Sequence, residues 1–207
     1  MLKDKNIYFI RHGETDWNRD NRFQGQTDIP LNQTGKDQAS EIIPSMNQLK
    51  IEQAFSSDLS RAFETAQISL TDYRIGITKD ERLRETHLGD AEGLTAEELI
   101  AKFSDQALVR WRSYDEHDLD FKYKNGESKR QMMVRIRDAV LELVKDSESN
   151  NIAFFCHGMV MRALTYAFGQ GVEWNQITFA NGSIHHFKWN DQREDHLIYL
   201  GKIEKAF

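Results

Sequence analysis

The chain has 207 residues, of which 39% are hydrophobic and 29% charged, with a formal net charge of -6. These values are typical of a single folded domain over residues 1–207, and the negative charge argues against a general nucleic-acid binder, whose affinity needs a positive field. No apolar run is long enough to span a bilayer, and a single cysteine, Cys156, excludes an internal disulfide. We therefore expect a cytoplasmic protein without a nucleic-acid or membrane partner.

The first predicted strand, residues 7–10, ends in Arg11, His12 and Gly13. A short run of β-forming residues that stops at such groups predicts a buried strand whose carboxyl end opens into a site. Imidazole is a nucleophile at neutral pH, and an adjacent guanidinium can hold an anion while the ring nitrogen attacks it, which suggests phosphoryl chemistry. The pair could equally be the solvated end of a strand, so the rest of the chain must supply partners.

The next segment, residues 16–30, is polar and is predicted to be a loop. Thr34 is expected to cap a helix that runs to Leu49, with Pro44 kinking or dividing it. The elements expected after it are a strand over 54–56, a helix over 58–70, a strand over 74–79 and an irregular stretch over 81–93.

The second half of the chain continues the alternation of helices and strands. The elements expected are helices over 96–103 and 106–112, a loop over 115–126, a helix over 128–145, a strand over 151–156, a helix from about 159, and strands over 182–189 and 196–203 joined by a hairpin loop over 190–195. This order predicts an α/β fold: three layers, with helices on both faces of a mostly parallel sheet that gains an antiparallel strand from the last hairpin.

Two of the predicted strands end in a residue followed by His-Gly, which places His12 and His157 at the same edge of the sheet. Arg61 follows a third strand at that edge. Ligands bind beyond the carboxyl ends of parallel strands, so we expect these groups to converge there. Convergence from distant parts of the sequence is much less probable by accident than any single pair.

Taken together, the motifs of this chain resemble the histidine phosphatase superfamily, also called the phosphoglycerate mutase-like family. The matching motifs occur in order between residue 7 and about residue 181: RHGET at 11–15, SSDLSRAFETA at 56–66, Arg84-Glu85 with Gly89 and Glu92-Gly93, Gly126-Glu127-Ser128, and His157-Gly158 with Arg162. The resemblance implies one histidine phosphatase domain with the phosphoglycerate mutase-like fold and a cap-like insertion at about 94–126.

The resemblance also implies a metal-independent phosphomonoesterase that acts on a small phosphorylated metabolite, with no metal and no cofactor. His12 would be the nucleophile, and Arg11, Arg61 and His157 would hold the phosphoryl oxygens. Glu85 would protonate the leaving oxygen and then activate water. The substrate-binding positions that it implies on the loop after the first strand are Asn18, Gln24 and Gly25.

Three other functions compete with this one. Cys156 and Arg162 have the spacing of cysteine-dependent phosphatases, in which a thiolate attacks, but that reading leaves Arg11, His12 and Arg61 without a role. A cofactor-dependent phosphoglycerate mutase is the second alternative; such mutases carry a longer insertion after the catalytic glutamate than this chain does. The third is an inactive phosphate-binding interaction module, which the presence of both nucleophile and acid does not favour.

The sequence leaves the substrate and the oligomeric state open. The cap contains Trp111, Tyr114, Phe121 and Tyr123, which are more often packing residues than recognition residues. Relatives of this size include broad-specificity phosphatases and α-ribazole phosphatases. Glu85 alone could be a surface ion-pair partner. The neighbours His185 and His186 point to opposite faces of a strand, so we expect them to be structural and not a chelating pair.

Overall fold

The computed structural model describes residues 4–168, 177–190 and 197–206. Its central sheet is formed by β1 (Lys5–Arg11), β2 (Gln53–Ser56), β3 (Ile77–Lys79), β4 (Asn151–Cys156), β5 (Ile184–Trp189) and β6 (Leu197–Ile203). The strand order is β3-β2-β4-β1-β5-β6; the first four are mutually parallel, and β5 and β6 are antiparallel to their neighbours. The predicted α/β fold with a mostly parallel sheet and an antiparallel hairpin is confirmed.

The α-helices cover both faces of this sheet. They are α1 (Asp16–Arg19), α2 (Gln33–Glu41), α3 (Ile43–Leu49), α4 (Ser60–Ser69), α5 (Ala96–Lys102), α6 (Asp105–Arg112), α7 (Lys129–Asp146) and α8 (Gly158–Phe168). Short 3₁₀ turns cover Glu81–Leu83, Gly89–Ala91 and Glu116–Asp118. None of the described helices is both long and apolar enough to cross a bilayer.

Alternation along the strands produces two cores. Phe9 and Phe154 face one side, where they pack with α7 and α8. Ile10 and Phe155 face the other side, where they pack with Ile42, which follows α2, and with α3 and α4. A third cluster joins α5 and α6 to Tyr123 and lies in the cap segment, residues 94–126, and the loops beside it.

Several element boundaries differ from the predictions. The predicted loop over 16–30 contains α1, because the Thr15 hydroxyl accepts a bond from the Asn18 N–H (3.2 Å) and the Asn18 side chain accepts one from the Thr15 N–H. The helix expected at Thr34 begins after Asn32, whose side chain accepts a bond from the Gly35 N–H (2.9 Å).

The expected division of that helix is confirmed: Pro44 lies in the first turn of α3, after a break at Ile42. The strand expected over 74–79 begins only at Ile77, which pairs with Ala54, so residues 74 and 75 lie beyond the start of the short β2. The hairpin loop expected over 190–195 lies, except for Asn190, outside the described residues.

Candidate active site

The carboxyl ends of β1 and β4 lie side by side. Arg11 pairs with Cys156 in the parallel register, so the next residues, His12 and His157, become neighbours with ring centroids 5.2 Å apart. The His12 N–H donates to the Cys156 carbonyl (3.1 Å) and continues the ladder to the end of the strand. The sheet edge therefore brings together the two histidines whose convergence the sequence predicted.

His12 is held in one tautomer. Its Nδ1 lies 2.7 Å from the Gly13 carbonyl oxygen, and because a carbonyl only accepts, Nδ1 carries the proton and the lone pair is on Nε2. Burial, followed by the charges of Arg61 and Arg11, holds the pKa of His12 well below its ordinary value of 6.5. The imidazole is therefore neutral at physiological pH, which is the form that can attack phosphorus.

Two guanidinium groups flank this ring, the buried Arg61 and the half-buried Arg11. Arg61 donates from Nη2 to the Gly25 carbonyl (2.7 Å) and from Nη1 to the Thr27 carbonyl (2.9 Å), and Arg11 donates from Nη1 to the Phe179 carbonyl (2.5 Å). Burial lowers the pKa of Arg61 to about 10, so the group still carries its charge at neutral pH. Both cations are anchored by neutral carbonyls, so their charge remains available to an anion.

Buried polar atoms without a hydrogen-bond partner among the described residues are concentrated in this region. Buried groups of this kind normally find a partner, so their concentration here indicates a polar ligand. Those in this region are Arg11 Nε, Arg61 Nε, Gln24 Oε1, Thr86 Oγ1 and both ring nitrogens of His157.

Glu85 places a carboxyl group in the same pocket. Its oxygens accept bonds from the backbone N–H groups of Thr86 (2.9 Å) and Met159 (3.1 Å), the latter in the first turn of α8. These bonds favour the carboxylate, but burial has the larger effect and raises the pKa of Glu85 above its ordinary value of 4.5. A carboxyl group with a raised pKa keeps its proton to a higher pH than an ordinary glutamate and can serve as a general acid. Glu85 is thus not the surface ion-pair partner considered above.

The pocket that these groups form has a volume of about 180 Å³. Of the predicted residues, His157 is fully buried and does not line it. Its walls include Arg11, His12, Arg61, Glu85, Asn18, Gln24, Gly25, Phe23, Trp111 and Met159. Among the described residues, one group of carboxylate and imidazole side chains is close enough together to share a metal ion. It consists of Asp115, His117 and Asp118 and does not line this pocket.

The loop residues expected to bind substrate differ in their contacts. Asn18 accepts bonds from Thr15 and from the side chain of Asn181 (3.3 Å), so its oxygen is already used. Gln24 is buried, and its amide oxygen has no hydrogen-bond partner among the described residues. Gly25 bonds to Arg61 through its carbonyl, which makes it a support for a cation as well as a pocket wall.

Several supporting residues were not predicted. The Thr65 hydroxyl accepts from the Gly13 N–H (3.0 Å), and the Asn181 side chain donates to the His12 carbonyl (3.0 Å). Thr65 lies inside the SSDLSRAFETA motif, one helical turn after Arg61, and that spacing could have indicated it. No local signal marks Asn181, because its contact spans 169 residues of sequence.

A second cavity adjoins the pocket and shares Phe23, Trp111 and Met159 with it. Its other walls are Tyr114, Arg112 and Arg162. Among the described residues, neither of these arginines has a carboxylate partner, and Arg162 lies over the Phe179 ring. The cap aromatics are divided between two roles: Trp111 and Tyr114 line these cavities, whereas Phe121 and Tyr123 pack in the cap cluster.

Cys156 lies on the other side of the strand end, in the core formed with α7 and α8. Burial raises the pKa of its thiol far above the ordinary range, so a thiolate is disfavoured. His185 and His186 bond separately to Tyr199 and Asn6, which fits the structural role expected for them.

The sequence matches the histidine phosphatase superfamily (branch 1) over residues 7–199. It is 36% identical over 160 residues to phosphoglycerate mutase-like protein 4 of Arabidopsis thaliana, covering 76% of this chain and 68% of that protein. It is 33% identical over 177 residues to glucosyl-3-phosphoglycerate phosphatase of Mycobacterium tuberculosis, covering 80% of this chain and 76% of that protein. The solved structure of a mycobacterial glucosyl-3-phosphoglycerate phosphatase in complex with VO3 has a TM-score of 0.81 at 27% identity, covering 98% of this chain and 100% of that one. This chain belongs to the histidine phosphatase superfamily.

Proposed function

We propose that the chain is a metal-independent phosphomonoesterase that acts on a small phosphorylated metabolite through a phosphohistidine. The observation that carries this proposal is the tautomer of His12, whose Nε2 lone pair shares a pocket with two guanidinium groups and a buried carboxyl. A nucleophile, charge stabilisation and a proton source are the groups that phosphoryl transfer to water requires.

In the first step, Nε2 of His12 attacks phosphorus, the bond to the leaving oxygen breaks, and protonated Glu85 gives that oxygen its proton. Arg11 and Arg61, which line the pocket, donate to the phosphoryl oxygens, where negative charge spreads in the transition state, and His157 lies beside the His12 ring. In the second step, the Glu85 carboxylate takes a proton from water and the water oxygen attacks phosphorus. The phosphorus–nitrogen bond then breaks, and inorganic phosphate leaves with a neutral imidazole behind it.

A hydrolase fits this chain better than a mutase does. A mutase must retain the phosphoryl group and keep water out during two half-reactions, and the cap between Glu85 and Gly126 is short, with only α5 and α6 as its α-helices. The relatives include both a phosphatase and a mutase-like protein, so the two activities need a direct comparison.

We expect inorganic phosphate to be released from a panel of phosphomonoesters in the presence of EDTA, because the cations at the site are arginines. The panel should contain 3-phosphoglycerate and 2,3-bisphosphoglycerate, with 2-phosphoglycerate assayed as a product. Isomerisation without phosphate release would make the chain a mutase. Absence of both reactions, with phosphate still bound, would favour the inactive binding module.

The adjoining cavity suggests which leaving groups to test first. Arg112 and Arg162 line it and have no carboxylate partner among the described residues, so a leaving group with its own negative charge would gain an ion pair there. The names of two relatives refer to phosphoglycerate, and phosphoglycerate carries a carboxylate that could form this ion pair.

Replacement of the exposed Arg112 tests this substrate preference. We expect Arg112→Met to lower kcat/KM for 3-phosphoglycerate by about tenfold, the value of one hydrogen bond to a charged group, and to leave phenyl phosphate unaffected. Arg74→Met, which removes an exposed arginine outside these cavities, is the control. An equal loss for both substrates would count against a subsite for an anionic leaving group.

A further inference from the structure

Glu92 has no role in the chemistry proposed above, yet its carboxylate is saturated with hydrogen bonds. The residue ends the 3₁₀ turn Gly89–Ala91, and its side chain is 12% exposed. Oε1 accepts from the backbone N–H groups of Gln26 (2.9 Å) and Leu88 (3.0 Å). Oε2 accepts from the Thr27 N–H (2.9 Å) and from the Thr27 hydroxyl. Only an ionised carboxylate can accept from all these donors at once.

The Gly25–Gln26 peptide group connects this carboxylate to the active site. In a trans peptide the C=O and the N–H point in opposite directions. Here the N–H of Gln26 donates to Glu92, while the Gly25 carbonyl of the same group accepts from Arg61 Nη2 (2.7 Å). A negative charge at the N–H end polarises the peptide and strengthens the bond at its carbonyl end.

The same loop contacts the predicted acid. The Thr27 carbonyl accepts from Arg61 Nη1 (2.9 Å), and the Gln26 side chain donates to the Glu85 backbone carbonyl (3.0 Å). Residues 25–27 therefore touch one predicted cation and the backbone of the predicted acid, and Glu92 holds their N–H groups from the opposite side. The position of Arg61 depends on the orientation of this loop.

Gly25 allows this close approach. Its φ is 55°, in the left-handed region, and a Cβ there would lie 2.1 Å from Glu92 Oε1. Because Glu92 is fixed by its hydrogen bonds, it could not easily move away. The glycine thus serves the contact between the loop and Glu92.

We infer that Glu92 is a positioning residue that orients the Arg61 guanidinium through the Gly25–Gln26 peptide group. The inference deepens the proposed function and rests on it, since Arg61 is the group whose placement would matter for phosphoryl transfer. Neither partner lies near Glu92 in sequence: the loop and Arg61 are brought to it only by the fold.

The test uses Glu92→Gln, which keeps the shape of the side chain but turns an NH₂ group towards N–H donors. We expect kcat/KM for phenyl phosphate and the affinity for orthovanadate, measured by calorimetry, each to fall by on the order of 100-fold, as happens when a charged group is displaced by about 1 Å. The matched control is Glu142→Gln, which changes an exposed carboxylate whose ion-pair partner among the described residues is Arg82. An unchanged vanadate affinity in a folded Glu92→Gln protein would overturn the inference.

A double-mutant cycle separates positioning from general stability. If Glu92 acts through Arg61, adding Glu92→Gln to Arg61→Met should change vanadate affinity by no more than about twofold, the limit of additivity error. An undiminished loss in the Arg61→Met background would show that Glu92 acts elsewhere. The vanadate measurement needs no turnover, so a wild-type protein that binds vanadate without hydrolysing esters would refute the proposed function and leave this inference testable.

A milder pair of variants covers the case in which Glu92→Gln does not fold. Thr27→Val removes the hydroxyl donor to Glu92, whereas Thr27→Ser keeps it. We expect Thr27→Val to weaken vanadate binding and Thr27→Ser to restore it. Equal affinities in these two variants and the wild type would count against the inference.

Discussion

His12→Ala is expected to lower kcat by on the order of 10³-fold or more for every phosphomonoester, because the neutral Nε2 that attacks phosphorus is lost. Arg11 and Arg61 remain anchored by backbone carbonyls, so the variant should still bind inorganic phosphate. Steady-state kinetics and a phosphate titration of the same preparation measure the two effects. Loss of turnover with retained binding is the expected combination.

The control for this variant is His117→Ala, which removes an exposed histidine that does not line the pocket. It should have wild-type kinetics and a wild-type melting temperature. A His12→Ala protein that is folded and hydrolyses substrate within about tenfold of wild type would contradict the assignment of the nucleophile, since loss of a true nucleophile costs far more.

Glu85→Gln is expected to slow substrates according to their leaving groups. An alkyl phosphate needs a proton on its departing oxygen, so its kcat should fall by about 10²- to 10⁴-fold, the usual contribution of a general acid. An aryl phosphate with a good leaving group needs little protonation and should be slowed much less in the first step. Burst kinetics with both substrates separate that step from hydrolysis of the phosphoenzyme. Equal slowing of the first step for both would count against Glu85 as the acid.

The pH dependence provides a second readout for Glu85. The productive state needs neutral His12 and protonated Glu85, and at their ordinary pKa values of 6.5 and 4.5 the two forms would seldom coexist. Burial lowers the first pKa and raises the second, so the productive state is more populated than it would be at the ordinary pKa values. For alkyl phosphates, kcat should rise as pH exceeds the lowered His12 pKa and fall as pH exceeds the raised Glu85 pKa. The fall above the Glu85 pKa should be absent in the Glu85→Gln protein.

The local patterns of the sequence predicted most of the sheet. The strands that become β1 and β4 are continuous apolar runs bounded by polar residues, and each ends at a His-Gly pair. In a mostly parallel sheet, both ends are expected at the same edge, and the two strands are indeed parallel neighbours. Pro44 likewise indicated the break between α2 and α3. The caps at Thr15 and Asn32 were missed because many polar residues in these loops could cap a helix, and the backbone geometry decides which one does.

Apart from Thr65, the supports of the site could not be predicted, because they depend on contacts between distant segments. Glu85 bonds to the Met159 N–H, which is 74 residues away, and Glu92 bonds to the loop at Gln26 across 66 residues. Contacts at such separations along the sequence leave no repeating pattern of residues that could reveal them. The pKa of Glu85 is set by its burial, which appears only after the cap segment and α8 have packed around it.

Identification of the phosphorylated residue tests the central claim most directly. Enzyme mixed with an aryl phosphate should be quenched in alkali, where phosphohistidine survives, and its peptides analysed by mass spectrometry. We expect a phosphoryl group on His12 in the wild type and none in the His12→Ala protein. A phosphoryl group on Cys156, or rapid phosphate release with no phosphoenzyme on a millisecond timescale, would contradict it.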